Sequence, residues 1–179
     1  MIEIPKPSEL SVYYQGYLKY VNPGDDLVEL IRKQRGEIVE FLSSVSEDKA
    51  SFAYGPGKWM LKEVVGHVCD TERILSYRAL RIARNDRTRL AGFDENIYTP
   101  ASNYHSRSLK NIAEELRTVR EATITLIENF SPEMIDRKGI ANDNEISVRA
   151  NVYMIYVHAQ HHMKVITEKY LEPISKLSS

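Results

Sequence analysis

Three of the five histidines in this sequence fall within five residues, His158-Ala159-Gln160-His161-His162. On an α-helix, positions i and i+4 project from one face a turn apart, so His158 and His162 can offer two ring nitrogens to one cation at about 2.0–2.1 Å. Ile155, Ala159 and Ile166 share that face and turn it toward an apolar interior. Two imidazoles facing such an interior need partners, and a divalent metal satisfies both. A third ligand must come from another helix. His67 is the candidate, because Val64, Val68 and Leu75 place it on or beside a buried side. An i, i+4 histidine pair is also common as surface or core decoration, so spacing alone leaves both readings open.

Three histidines without a fourth protein ligand leave a position for water or substrate, which is the pattern of a catalytic rather than a structural site. Imidazole suits zinc, nickel, iron and copper alike, so ligand type does not choose the metal. His161 is rotated about 100° from His162 and reads as a supporting or solvent-facing group. His105 reads as surface. Glu63 (i−4 from His67) and Asp70 (i+3) are the candidates to accept the other N–H of the His67 ring. Glu72, at i+5, points elsewhere, and solvated helix surface is the plain alternative for all three acids. Cys69 points away from the His67 ring and reads as a small core residue. Trp59 either packs the bundle end or walls a substrate pocket.

The elements that must position these groups follow from apolar periodicity. The pattern predicts a helix from about Asp25 to Val45, capped by Asp25 or Asp26, with Gln34 interrupting its stripe. Gly55-Pro56-Gly57-Lys58-Trp59 forces a turn before a second helix from Met60 to about Ala83. A third spans about Ser108 to Asn129 and a fourth about Ser147 to Leu171, with Pro173 ending it. Residues 85–107 form a long polar connection, of the kind that is usually functional, and Phe93-Asp94-Glu95-Asn96 within it is a candidate lid. A connection of that length lets helices two and three lie parallel. Residues 1–23, with Tyr13, Tyr14, Tyr17 and Tyr20, read as an arm laid onto the body, and residues 172–179 as a frayed tail. No stretch is β-rich. The expected fold is a single all-α domain over residues 1–179, a four-helix bundle with a long connection between helices two and three.

The 179 residues are 42% hydrophobic and 27% charged, an ordinary globular balance that argues against disorder. A net charge of −1 gives no broad pull toward nucleic acid or membrane. The one basic strip, Arg78, Arg81, Arg84, Arg87 and Arg89, reads as a solvated face. A single cysteine permits no intramolecular disulfide, the first eleven residues do not read as a signal peptide, and no run is long enough to span a bilayer. Cytoplasm is the expected setting.

Several motifs occur together: Tyr54-Gly55-Pro56-Gly57-Lys58-Trp59, Lys62-Glu63-Val64-Val65-Gly66-His67, Asp70-Thr71-Glu72-Arg73, the run Tyr77 to Asp86, Gly92-Phe93-Asp94-Glu95-Asn96, and His158, His161 and His162 followed by Ile166 and Tyr170. Jointly they resemble the DinB-like superfamily, metal-dependent enzymes on a four-helix bundle, in its subgroup with a Pro-Gly-Lys-Trp turn. The resemblance implies a divalent first-row metal, zinc or nickel foremost, on His67, His158 and His162, and often a homodimer. It implies chemistry on a small-molecule electrophile by metal-activated water or a low-molecular-weight thiol, of hydrolase or thiol S-transferase type. The alternative is a non-catalytic metal-binding or dimeric interaction protein with a structural metal. Two positions depart from the subgroup: Ala159 stands where an acid commonly follows the first histidine, and Met60 where a serine or threonine caps the helix.

Overall fold

Apolar residues at every third or fourth position produce four long helices, α1 (Leu27–Ser43), α2 (Leu61–Ala83), α3 (Leu109–Glu128) and α4 (Val148–Val165). A computed structural model describes residues 1–10 and 12–173, so Ser11 and residues 174–179 of the expected tail lie outside the described residues. Side-chain oxygens start three of the helices: Asp26 accepts from Val28 N, Ser108 from Asn111 N and Ser147 from Ala150 N. Met60 has no such oxygen, and Glu63 instead accepts the Met60 N–H at 2.7 Å, half of a capping box.

The helices bury two apolar cores, one above the other. Leu27 and Ile31 of α1 share the first with Leu75 and Ile82 of α2, Ile124 and Ile127 of α3, and Val152 and Ile155 of α4. Ile38 and Leu42 share the second with Leu61 and Val65, Leu109 and Ile112, and Ala159 and Ile166. The start of α1 therefore meets the ends of α2 and α3 and the start of α4. Helices α1 and α4 run one way and α2 and α3 the other, so the parallel pairing of successive helices α2 and α3 follows from the long connection between them.

Between the cores lies a polar layer with one residue from each helix. Arg120 Nε donates to Glu72 Oε1 at 2.8 Å, Arg120 Nη1 to Gln34 Oε1 at 2.6 Å, and Gln34 Nε2 to Gln160 Oε1 at 3.0 Å. Glu72, Arg120 and Gln34 are each 2% exposed. The interruption at Gln34 is thus a buried link rather than a surface position.

Two features go beyond the sequence reading. Lys138–Ala141 (β1) and Asn144–Ser147 (β2) pair antiparallel, from Lys138 opposite Ser147 to Ala141 opposite Asn144. Asn142 and Asp143 join them at φ of 49° and 60°, as a two-residue primed turn requires. The connection after α2 is not elementless either: Glu95–Ala101 is helical, capped by Asp94, and Tyr104–Ser106 makes a 3₁₀ turn. The Tyr104 ring lies against Gly66 of α2, where a Cβ would come within 2.2 Å of it. After α4 the helix continues in wider π-type turns over Ile166–Leu171, and Tyr170 Oη donates to the Trp59 carbonyl at 2.9 Å. Among the described residues, no helix is long and apolar enough to cross a membrane.

Candidate metal centre

Helices α2 and α4 pack antiparallel over much of their length, which sets the start of α2 against the later part of α4. His67 reaches His158 and His162 there. The three Nε2 atoms converge, with His67 and His162 at 3.0 and 3.1 Å from His158. Ring centroids stand 4.4–4.9 Å apart. Zn–N bonds of about 2.0–2.1 Å set tetrahedral ligand nitrogens about 3.4 Å apart, so these two separations are about 0.3 Å short of that, and all three ligand atoms lie within 4.8 Å of one another.

The protonation of the trio points the same way. Burial is the largest cause holding His67 down at about 4 and His162 at about 3, and it holds His158 well below its ordinary range. Each ring is therefore neutral at pH 7 and carries one N–H and one lone pair. Three facing Nε2 atoms cannot all be satisfied by sharing protons among themselves, and His162 Nδ1 is buried without a partner. A divalent cation takes all three lone pairs at once, so the donor set fits a metal.

The trio opens into a cavity of about 300 Å³. His67, Thr71, Leu75 and Arg78 line one side, at successive turns of α2. Trp59, its ring centroid 5.2 Å from that of His67, closes the wall beside the histidine trio. Phe93 and Glu95 come from the long connection, and Glu95 is the one charged group that opposes the depression of His67. Tyr14 and Tyr17 of the N-terminal arm form part of the rim, and Tyr17 meets His161 edge to face at 5.2 Å. His161 thus borders the cavity outside the trio, and His105 is exposed.

Glu63 spends a carboxylate oxygen on the Met60 N–H, and Asp70 accepts the Tyr104 hydroxyl at 2.9 Å. Among the described residues, neither accepts a hydrogen bond from a histidine. Glu72 faces Arg120 in the polar layer. Cys69 is fully buried, and burial pushes its thiol up to about 12, which keeps it protonated. Ala159 lies in the apolar core and does not line the cavity. The arginine strip does not form one face. Arg78 turns inward, Arg81 pairs with Asp86, and Arg89 with Asp143.

Arg78, Thr71 and the arm tyrosines join the cavity lining without being candidates from sequence. The signal for the first two was present, because positions 71, 75 and 78 repeat the face of His67. Nothing in the sequence tells which way the arm folds.

The chain is similar to known proteins in sequence and in fold. Residues 30–166 match the sequence pattern of the DinB superfamily. A protein of Oceanobacillus iheyensis, named provisionally as a metal-dependent hydrolase, is 24% identical over 140 residues, covering 76% of this chain and 77% of its own. The structure of YfiT from Bacillus subtilis, described as a probable metal-dependent hydrolase with an unusual four-helix bundle topology, superposes with a TM-score of 0.74 at 14% identity. The match covers 93% of this chain and 91% of that one. A mycothiol-dependent maleylpyruvate isomerase matches with a TM-score of 0.58 at 14% identity, over 76% of this chain and 58% of that one.

Proposed function

The chain belongs to the DinB superfamily, and from that premise we propose that it is a metal-dependent hydrolase of a small molecule. His67, His158 and His162 hold a divalent first-row metal, zinc or nickel foremost. The observation that carries the proposal is the convergence of three neutral Nε2 atoms at the wall of an open cavity. A metal serving only as a staple would sit in a closed site.

Bound there, the metal supplies Lewis acidity and acidifies a water or thiol. The chain's own residues do the rest. Glu95, in the cavity wall on the His67 side, takes the proton from the attacking water. Trp59 and Phe93 limit the water that reaches the trio. Glu63 and Asp70 act as positioning residues by tying down the first half of α2, through Met60 and Tyr104.

A thiol as the attacking group is the second reading. The likeness to a mycothiol-dependent enzyme favours it, and a cavity of this size admits a small thiol. A homodimer and a cytoplasmic setting belong to the same proposal, the latter in keeping with a lone cysteine that is buried and protonated.

The test is elemental analysis of protein purified without a histidine tag, beside a His158→Ala, His162→Ala double variant. About one equivalent of metal in the parent, lost in the variant, is the expected result. Esters, amides and lactones are then screened with and without added thiol, which separates the two readings. No metal in the parent after incubation with zinc, nickel or manganese would overturn the proposal.

A further inference from the structure

Arg78 sits on α2 eleven residues after His67, three helical turns and about 16 Å along the same face. It is 91% buried and lines the cavity of the histidine trio. Its Nη2 donates to the Ala91 carbonyl at 2.8 Å. Among the described residues it has no carboxylate partner, and the rest of its five-donor fork has no protein acceptor. Burial lowers its pKa from the ordinary value, with the neighbouring Tyr14 working against that. This is a cation taken out of water without its counter-charge, an arrangement that costs stability unless something else supplies the charge.

Arg78 lines not only the main cavity but an adjoining recess of about 80 Å³, and Tyr14, Leu75, Asn142 and Met154 border both. Glu9 and Glu145 also line the recess, but they pair with Arg149 and Lys138 and neither bonds Arg78. Arg78 is the one arginine in either lining; its helix neighbour Arg81 pairs with Asp86, and Arg89 pairs with Asp143. The buried guanidinium is left facing the space a substrate would occupy.

We propose that the substrate is a small organic acid, whose carboxylate is held by Arg78 while its reacting group meets the histidine trio. A planar guanidinium fork matches a carboxylate in shape. A phosphate monoester, carrying nearly two charges, would need a second cation beside Arg78, and the linings of the two cavities provide none. The orientation of the acid rests on the proposed metal-dependent activity. The binding of its carboxylate does not.

The test uses the full chain after chelation, so that no probe can bind through a metal. Benzoate, its neutral isostere benzamide and phenyl phosphate are titrated by calorimetry into the parent, Arg78→Gln and Arg78→Lys. Benzoate should bind the parent at least tenfold more tightly than benzamide, the size expected of charge-assisted hydrogen bonds. Arg78→Gln should remove that preference and leave benzamide unchanged. Arg78→Lys keeps the charge and a donor for Ala91 but loses the fork, and should weaken benzoate severalfold. It also serves if the glutamine variant does not fold. Equal binding of benzoate and benzamide to the parent, or a preference that survives both substitutions, overturns the proposal. Tighter Arg78-dependent binding of phenyl phosphate than of benzoate overturns the carboxylate class. An Arg78-dependent preference in a protein that takes up no metal would sink the hydrolase reading and leave this one standing.

Discussion

His67 Nε2 stands 3.0 Å from His158 Nε2 across 91 residues of sequence. The contact exists because α2 and α4 run antiparallel, and each carries its histidine on a helix anchored by apolar side chains above and below. Apolar residues flank the trio on both helices, Val64, Val65 and Val68 on α2 and Ile155, Ala159 and Ile166 on α4, and they pack without any bond through a histidine. Removing a metal from the trio should therefore leave the bundle folded. Circular dichroism of chelated protein should keep its helical signal, with a melting temperature lowered only by the lost binding energy, about 4 kcal/mol at a metal concentration a thousandfold above Kd. Collapse of the helical signal on chelation would mark the site as structural.

Acid should destabilise the metal-free protein in a defined window. Burial holds His67 at about 4 and His162 at about 3 in the folded state, against about 6.5 in an unfolded chain. Between those values the unfolded chain binds protons that the folded protein refuses. The contribution to stability is full above about pH 6.5 and is lost as pH falls, down to about 4 for His67 and about 3 for His162. Urea midpoints of chelated protein should drop from pH 7 to pH 5, and His162→Gln should flatten that slope. An equal slope in parent and variant would contradict the assignment.

The bundle and the histidine trio were legible because both rest on the 3.6-residue period. The same period that aligned Ile155, Ala159 and Ile166 aligned His158 with His162, and it carried Ser108 and Asp26 to the correct caps. What the period does not encode was lost. The hairpin strands are four residues each, too short for alternation to register, and the helix Glu95–Ala101 spans two turns with Pro100 inside it. Arg78 looked like surface because arginines at 81 and 84 continue its spacing. Only the position of the Ala91 carbonyl and the hairpin beside it shows that this arginine is enclosed.

Glu72 and Arg120 form the one ion pair among the described residues in which both side chains are 2% exposed. Removing one partner strands a buried charge, so Arg120→Met or Glu72→Ala should each cost about 3–5 kcal/mol. Replacing both with apolar residues should recover much of that loss. Denaturant unfolding of the two single variants and the double variant reads the coupling, and additive losses would show that the pair does not act as a unit.

Gly66→Ala should be destabilising although alanine is the better helix former. The added Cβ would fall within 2.2 Å of the Tyr104 ring, which is buried and tied to Asp70. Displacing that ring should cost about 1–3 kcal/mol. Because His67 is the next residue, the variant should also bind metal more weakly. Tyr104→Ala in the Gly66→Ala background relieves the clash, and a double variant no better at binding metal than Gly66→Ala alone would rule out transmission through the ring.

Glu95 offers the sharpest separation of chemistry from structure. It opens a short helix that Asp94 caps by accepting the Asn96 N–H at 2.8 Å, and its own side chain is exposed. Its charge nevertheless reaches His67, where it works against the effect of burial. A residue so placed can take a proton at the trio without holding the fold together. Glu95→Gln should therefore lower kcat by about 10²–10⁴, the range for loss of a general base, while metal content and melting temperature stay put. Asp94→Ala frays the same helix without removing the carboxylate, and should alter kcat and KM together. If Glu95→Gln retains full turnover with a hydrolysable substrate, the proton goes elsewhere. His161, which also borders the cavity, is then the residue to substitute next.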